Sequence, residues 1–274
     1  MVTSRTSKTS WIIATVLVSI AVLVCLTPLI WMILGAFKRN MDVIDPTKLF
    51  SLDFTLENMR HLLGSKDFFD PLWNSLTLTG GSLLMSLAFG LPAAYAFARF
   101  RMRKASSIIL VIRMIPAMTF MLPWFIMFRT MGIAKTHLGL LLAFTVSSLP
   151  LIIWIMMPYF QSIPYDITES ARIDGASEAG TFAKIILPLS LPGIMTVSIL
   201  TVIGVWNNFL FVMILGGTKQ RTLPMQLMNY IGESSQQWGK LLAAATVITL
   251  PLILIAVFMQ KYIVSGMTSG AVKG

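Results

Sequence analysis

Only 12% of the 274 residues are charged while 56% are hydrophobic, which leaves too little polar surface to cover a soluble globular domain. The formal charge of +10 does not mark a nucleic-acid binder, because the bases are scattered among apolar-segment flanks and loops, and anionic membrane lipid accounts for them. The chain reads as a membrane protein, and the lack of alternating segments of about ten residues excludes an outer-membrane barrel in favour of a helical bundle.

Crossing a hydrocarbon core takes roughly 20 helical residues. Six apolar stretches reach that length, near 11–36, 73–97, 107–130, 138–160, 189–215 and 241–263, within a single transmembrane domain covering 1–274. The first follows Arg5 and Lys8 but is too long for a signal-peptide core and lacks a small-x-small cleavage site, so it is expected to be a retained helix. Cys25 is the single cysteine and lies inside that stretch, which rules out an internal disulfide. His61 and His137 fall in separate connections without ligand-like spacing, so no metal site is expected.

After the second stretch comes Arg99-Phe100-Arg101-Met102-Arg103-Lys104, four bases and no acid, which assigns that connection to the cytoplasm. The long 37–72 and 216–240 connections carry bases as well, but they hold seven of the eleven acids, and long loops weigh less in setting topology. Both termini and the connections 98–106 and 161–188 are therefore expected in the cytoplasm. All the acids lie outside the six stretches, which weighs against the intramembrane proton relay of an ion-driven carrier.

In the third stretch Arg113 lies about 13 Å beyond Lys104 along a helix. A base at that depth needs protein or water around it. It either lines a translocation cavity, donating to sugar hydroxyls or an anionic group, or snorkels back toward the interface. Trp206-Asn207-Asn208, mid-way in the fifth stretch, offers the planar polar and aromatic groups that bind sugars, and equally the amides that join helices. Gly80, Gly81, Gly90 and Gly204 are expected to permit close helix packing, and Met114, Met118 and Met121 to fill space.

Between the fourth and fifth stretches lies the polar insert Thr168–Gly180. Asp166 suits the N-cap of a helix and Glu169 a capping box three residues on. Gly175 suits a left-handed helix end, and Ser177 can cap a second helix through Phe182 and Ile185 up to Pro188. The small residues Ala171, Gly175 and Ala176 would admit a close-approaching protein surface, although an ordinary helical loop fits the same residues.

Glu169-Ser170-Ala171, three residues, Gly175, nine residues, then Ile185-Ile186-Leu187-Pro188 resembles the EAA loop of binding-protein-dependent ABC importer permeases, with Ser170 in place of the middle alanine. The Asn74-Ser75-Leu76 entry to the second stretch and the tail Gly266–Gly274 resemble the maltose-type, carbohydrate-uptake branch of that family. The resemblance implies an all-α polytopic fold of six transmembrane helices, with a cytoplasmic coupling helix between the fourth and fifth. Glu169, Ser170, Ala171, Asp174, Gly175 and Ala176 would meet the ATPase. It further implies a multi-pass protein of the bacterial inner membrane, working with a second homologous permease, two ATP-binding subunits and an extracytoplasmic binding protein that delivers a sugar. The family often carries an acid after Trp-Asn, where Asn208 stands here.

No catalytic constellation and no phosphate loop occur in the chain, since Gly216-Gly217-Thr218-Lys219 lacks the required spacing, so ATP and Mg are expected on the partner ATPase. The rival readings are a self-sufficient ion-coupled carrier or channel, a membrane-embedded enzyme, and a scaffolding subunit.

Overall fold

A computed structural model describes residues 8–48, 51, 53–231 and 237–271, and their side chains except at 10, 103, 106, 110 and 259–271. The described elements are helical throughout: α1 (Lys8–Ala36), α2 (Asn40–Ile44), α3 (Glu57–Leu63), α4 (Lys66–Arg99), α5 (Arg103–Met114), α6 (Met121–Thr130), α7 (His137–Ser162), α8 (Tyr165–Ile173), α9 (Glu178–Thr181), α10 (Leu187–Leu189), α11 (Leu191–Trp206), α12 (Leu210–Leu215), α13 (Leu223–Ile231) and α14 (Trp238–Ala271). The expected tail thus continues α14, and residues 272–274 lie outside the described residues.

Among the described residues four segments are long and apolar enough to cross a membrane: Trp11–Ala36, Lys66–Arg99, His137–Ser162 and Trp238–Phe258. The expected third and fifth spans are not continuous. Ser107–Met114 and Ala117–Thr130 meet at 87°, and Glu178–Leu189 and Leu191–Trp206 at 78°, so six spans result if each bent pair counts as one. Proline explains both bends. Ile115 precedes Pro116 and is forced into an extended conformation, with φ −73° and ψ 125°. Pro192 has no N–H to give the carbonyl of Pro188, so the ladder stops and α11 starts afresh after Ser190. The fifth stretch breaks again at Asn207–Phe209, between α11 and α12.

The chain falls into two compact units. One comprises Met1–Lys66 with Leu227–Thr249. Within it Thr246 Oγ1 reaches the Met32 carbonyl at 3.5 Å, and Asn58 Nδ2 donates to the carbonyls of Ala36 and Lys38 at 3.0 and 2.8 Å, closing the end of α1. Lys38 is buried, donates to the Lys48 carbonyl at 2.8 Å and lies over the Trp31 ring, so its charge is compensated. Asp42 pairs with Lys48 and raises the lysine pKa, chiefly through their hydrogen bond.

The other unit comprises Asp67–Gln226 with Leu250–Gly274. It holds two apolar cores. In one, Leu78, Met121, Phe128, Leu140, Phe144, Val205 and Phe211 join α4, α6, α7, α11 and α12, with the Phe144 and Phe211 rings stacked at 5.3 Å. In the other, Leu91, Ala94, Ile152, Met156, Phe160, Ile186 and Val197 join α4, α7, α11 and the segment before α10.

Small residues bring the helices together. A Cβ on Gly81 would lie 2.7 Å from Leu141, and one on Gly90 would lie 2.7 Å from Ile152, so these two glycines serve close packing as the sequence suggests. Gly80 and Gly204 do not, because nothing lies within 4 Å of an added Cβ at either position.

Asn74 and Ser75 anchor the connection after α12. Asn74 Nδ2 donates to the carbonyls of Lys219 and Arg221 at 2.8 Å each, its Oδ1 accepts from His137 Nε2 at 2.8 Å, and Ser75 Oγ accepts from the Leu223 amide at 2.9 Å. His137 therefore opens α7 rather than sitting in a loop.

Adding a methyl at Gly90 forces overlap with Ile152, which is fully buried and has nowhere to go. Gly90→Ala is expected to destabilise the protein by about 1–3 kcal/mol, while Gly80→Ala leaves it unchanged or more stable. Thermal unfolding of the detergent-purified variants checks the contrast.

Candidate functional site: a helix–turn–helix segment and an intramembrane cleft

The polar insert folds as two short helices about a tight turn. Helix α8 begins at Tyr165 with Pro164 as N-cap and no side-chain cap, so Asp166 is not the cap and the Glu169 capping box does not form. Asp166 instead lies in the first turn, where its charge meets the positive end of the helix. The register that turns Thr168 and Ala171 inward, at 6% and 4% exposure, accompanies this earlier start.

The helix end follows the sequence closely. Gly175 takes φ +81°, the left-handed conformation that costs an L-residue about 1–2 kcal/mol. The Ala176 amide donates to the Ala171 carbonyl at 2.9 Å and the Gly175 amide to that of Arg172 at 3.0 Å, the paired bonds of a Schellman turn. Ser177 then caps α9, its side chain accepting from the Gly180 amide at 3.1 Å. Arg172 and Glu178 pair across the turn, but both are about half exposed, so the pair adds little stability.

Pro188 does not end the second helix as expected. A π-helical segment, Phe182–Ile186, precedes it, α10 carries it, and the chain bends only after Ser190. The π-turn brings Phe182 against Tyr95 at 5.0 Å and Phe160 at 6.2 Å, so an aromatic cluster roots the segment on the ends of α4 and α7.

Of the coupling residues expected from the sequence, Glu169, Ser170, Asp174 and Gly175 are exposed and Ala176 is half-buried. Ala171 is the exception, because it faces the chain's own interior and offers a partner no surface. Sequence reasoning missed Ile173, which is 84% exposed at the end of α8. An isoleucine beside the motif glycine, on a helix with its other apolar side turned inward, was the available signal.

The second feature is a cleft of about 190 Å³, lined among others by Arg113, Ser147, Ser148, Thr201, Gly204 and Asn208. Arg113 precedes the break at Ile115 and Asn208 lies in the break before α12, so two helix interruptions converge on it. The Arg113 guanidinium is exposed and lies 5.6 Å from the centre of the Trp154 ring. Thr201 is 2% exposed and its hydroxyl has no partner among the described residues. Asn208 Oδ1 accepts from the Phe211 amide at 3.0 Å, which secures the start of α12.

The Trp206-Asn207-Asn208 trio is thus split. Only Asn208 lines the cleft; Trp206 is buried, and the exposed Asn207 donates back to the Ile203 carbonyl at 3.1 Å. The bonds of both asparagines are local rather than interhelical.

Residues 86–269, which contain both features, match the model of the family described as binding-protein-dependent transport system inner membrane component. The chain belongs to this family. This permease is 34% identical to the trehalose transport system permease protein of Mycobacterium tuberculosis over 91% of its own length and 93% of that protein. It is also 34% identical to the trehalose/maltose transport system permease protein of Thermococcus litoralis, over 92% and 93%. A chain of a bacterial ABC transporter involved in import of the acidic polysaccharide alginate matches it with a TM-score of 0.78 and 26% identity, over 96% of the permease and 99% of that chain. The permease is accordingly an all-helical, multi-pass membrane protein of a binding-protein-dependent importer.

Removing the Ser177 cap should loosen α9 without disturbing the membrane helices. Ser177→Ala is expected to cost about 1 kcal/mol locally, read as roughly fivefold faster hydrogen exchange at the amides of Gly180 and Thr181, which bond to Ser177.

Proposed function

We propose that this permease carries a sugar or sugar derivative, handed over by an extracytoplasmic binding protein, along a path that includes the cleft at Arg113, Thr201 and Asn208. The observation that supports this most strongly is the exposed helix–turn–helix segment rooted on α4 and α7, in a chain whose relatives include trehalose and maltose permeases. Hydroxyl, amide, guanidinium and aromatic groups around one small cleft suit the hydroxyls and apolar faces of a sugar.

ATP and Mg belong, on this reading, to a separate pair of ATPase subunits, and a second homologous permease completes the pathway. Both termini and the 161–188 segment lie in the bacterial cytoplasm, where ATP is. Glu169, Ser170, Asp174, Gly175 and the exposed Ile173 form the surface that the ATPase engages, with Ala176 at its edge. Closure of the ATPase pair moves this surface, and because a partner shifts an equilibrium only by binding its states unequally, the moved segment favours an outward-open bundle.

Ile173→Asp places a charge at the centre of that surface, and at 84% exposure the substitution leaves the permease's own packing intact. Stimulation of ATP hydrolysis by the loaded binding protein is expected to fall at least about tenfold, the equivalent of 1.4 kcal/mol, with normal amounts of permease in the membrane. Unchanged stimulation would refute this docking surface. Arg113→Met is expected to reduce solute uptake in the same reconstituted complex, and undiminished uptake would remove Arg113 from the path.

A further inference from the structure

At the foot of the helix–turn–helix segment one side chain spans from α4 to α8. Arg99 is the last residue of α4. Its guanidinium carbon lies 4.1 Å from the centre of the Tyr165 ring, its Nη2 donates to the Tyr165 hydroxyl at 3.2 Å, and its Nη1 donates to Thr168 Oγ1 at 3.2 Å. Thr168 is 6% exposed, and its hydroxyl donates in turn to the Tyr165 carbonyl at 2.7 Å, so the arginine grips the first turn of α8 through two residues that are already tied together.

A cleft of about 470 Å³ opens beside this grip, lined by Arg99, Arg101, Gln161, Ser162, Tyr165 and Thr168 among others. The first turn of α8 and Arg99 both border this cleft. At its other end α4 is a helix of 34 residues, and Gly81 and Gly90 hold it closely against Leu141 and Ile152 of α7. Helix α7 contributes Phe144, Ser147, Ser148 and Leu151 to the intramembrane cleft. A continuous run of packed elements thus leads from α8 through Arg99 to the cleft.

We propose that Arg99 is a positioning residue that transmits displacement of α8 to α4, and so couples the ATPase cycle to opening of the path. The inference rests on the coupling reading of α8 given above. Arginine suits the role because its planar fork stacks on an aromatic ring while donating to two acceptors at once, which a lysine ammonium does only in part. Cutting a link of this kind is expected to leave both ends folded and to lower the coupling between them.

The test uses the complete importer in proteoliposomes, measuring ATP hydrolysis and solute uptake together. Arg99→Met keeps the apolar stem and removes the fork. Its complex is expected to assemble in normal amount while solute moved per ATP falls about tenfold, and Arg99→Lys is expected to recover part of that loss. Tyr165→Phe with Thr168→Val removes both acceptors, leaves Arg99 and the ring in place, and is expected to show an intermediate loss.

An Arg99→Met complex with the wild-type uptake per ATP overturns the proposal. So does a failure of Arg99→Met to assemble if the Tyr165→Phe, Thr168→Val complex assembles and couples normally, since Arg99 is then purely structural. If wild-type ATP hydrolysis is not stimulated by the binding protein at all, it is the importer reading that fails.

Discussion

A backbone that breaks inside a hydrocarbon layer must find partners for its freed N–H and C=O groups in protein or enclosed water, because lipid offers none. This permease breaks its helices at Ile115–Pro116, at Ser190–Pro192 and at Asn207–Phe209. Such interruptions are tolerable only where the chain turns them toward its own interior or toward a water-filled space. Two of the three, at Ile115 and at Asn207–Phe209, border the cleft that Arg113 and Asn208 line together with Ser147, Ser148 and Thr201. The two breaks at the cleft, its polar lining and the guanidinium thus answer one constraint.

The same economy governs the polar insert. Its turn and second helix are closed locally, the Gly175 turn by its paired amides and α9 by the Ser177 cap, and Phe182 packs the π-turn against Tyr95 and Phe160. It is attached to α4 and α7 by an aromatic cluster at one end and by Arg99 at the other, while Glu169, Asp174 and Ile173 face outward. On the coupling reading proposed above, these side chains are the links between the exposed face and the membrane helices.

Much of this was legible in the sequence because it depends on local rules. Apolar length located the membrane segments, Gly175 at the helix end and Ser177 at the next start declared their own conformations, and the EAA spacing gave the family. What was not legible depends on packing. Asp166 has the chemistry of a cap, but the inward register of Thr168 and Ala171 starts α8 at Tyr165 instead. Gly204 has the same composition as a packing glycine, yet it opens onto the cleft. The prolines of the third and fifth stretches were visible, but apolar length alone read through them as continuous spans. Arg99 looked like one base in a run that marks the cytoplasmic side, and only its contacts with Tyr165 and Thr168 single it out.

On the reading proposed above, an ATPase drives this permease by moving α8. Its most direct test is uptake into proteoliposomes made from the co-purified complex, with ATP enclosed on the α8 side and loaded binding protein on the other. The expected result is solute accumulation that requires both ATP and the binding protein and carries no dependence on a proton or sodium gradient. Accumulation by the purified chain alone, driven by an ion gradient without ATP, would contradict it.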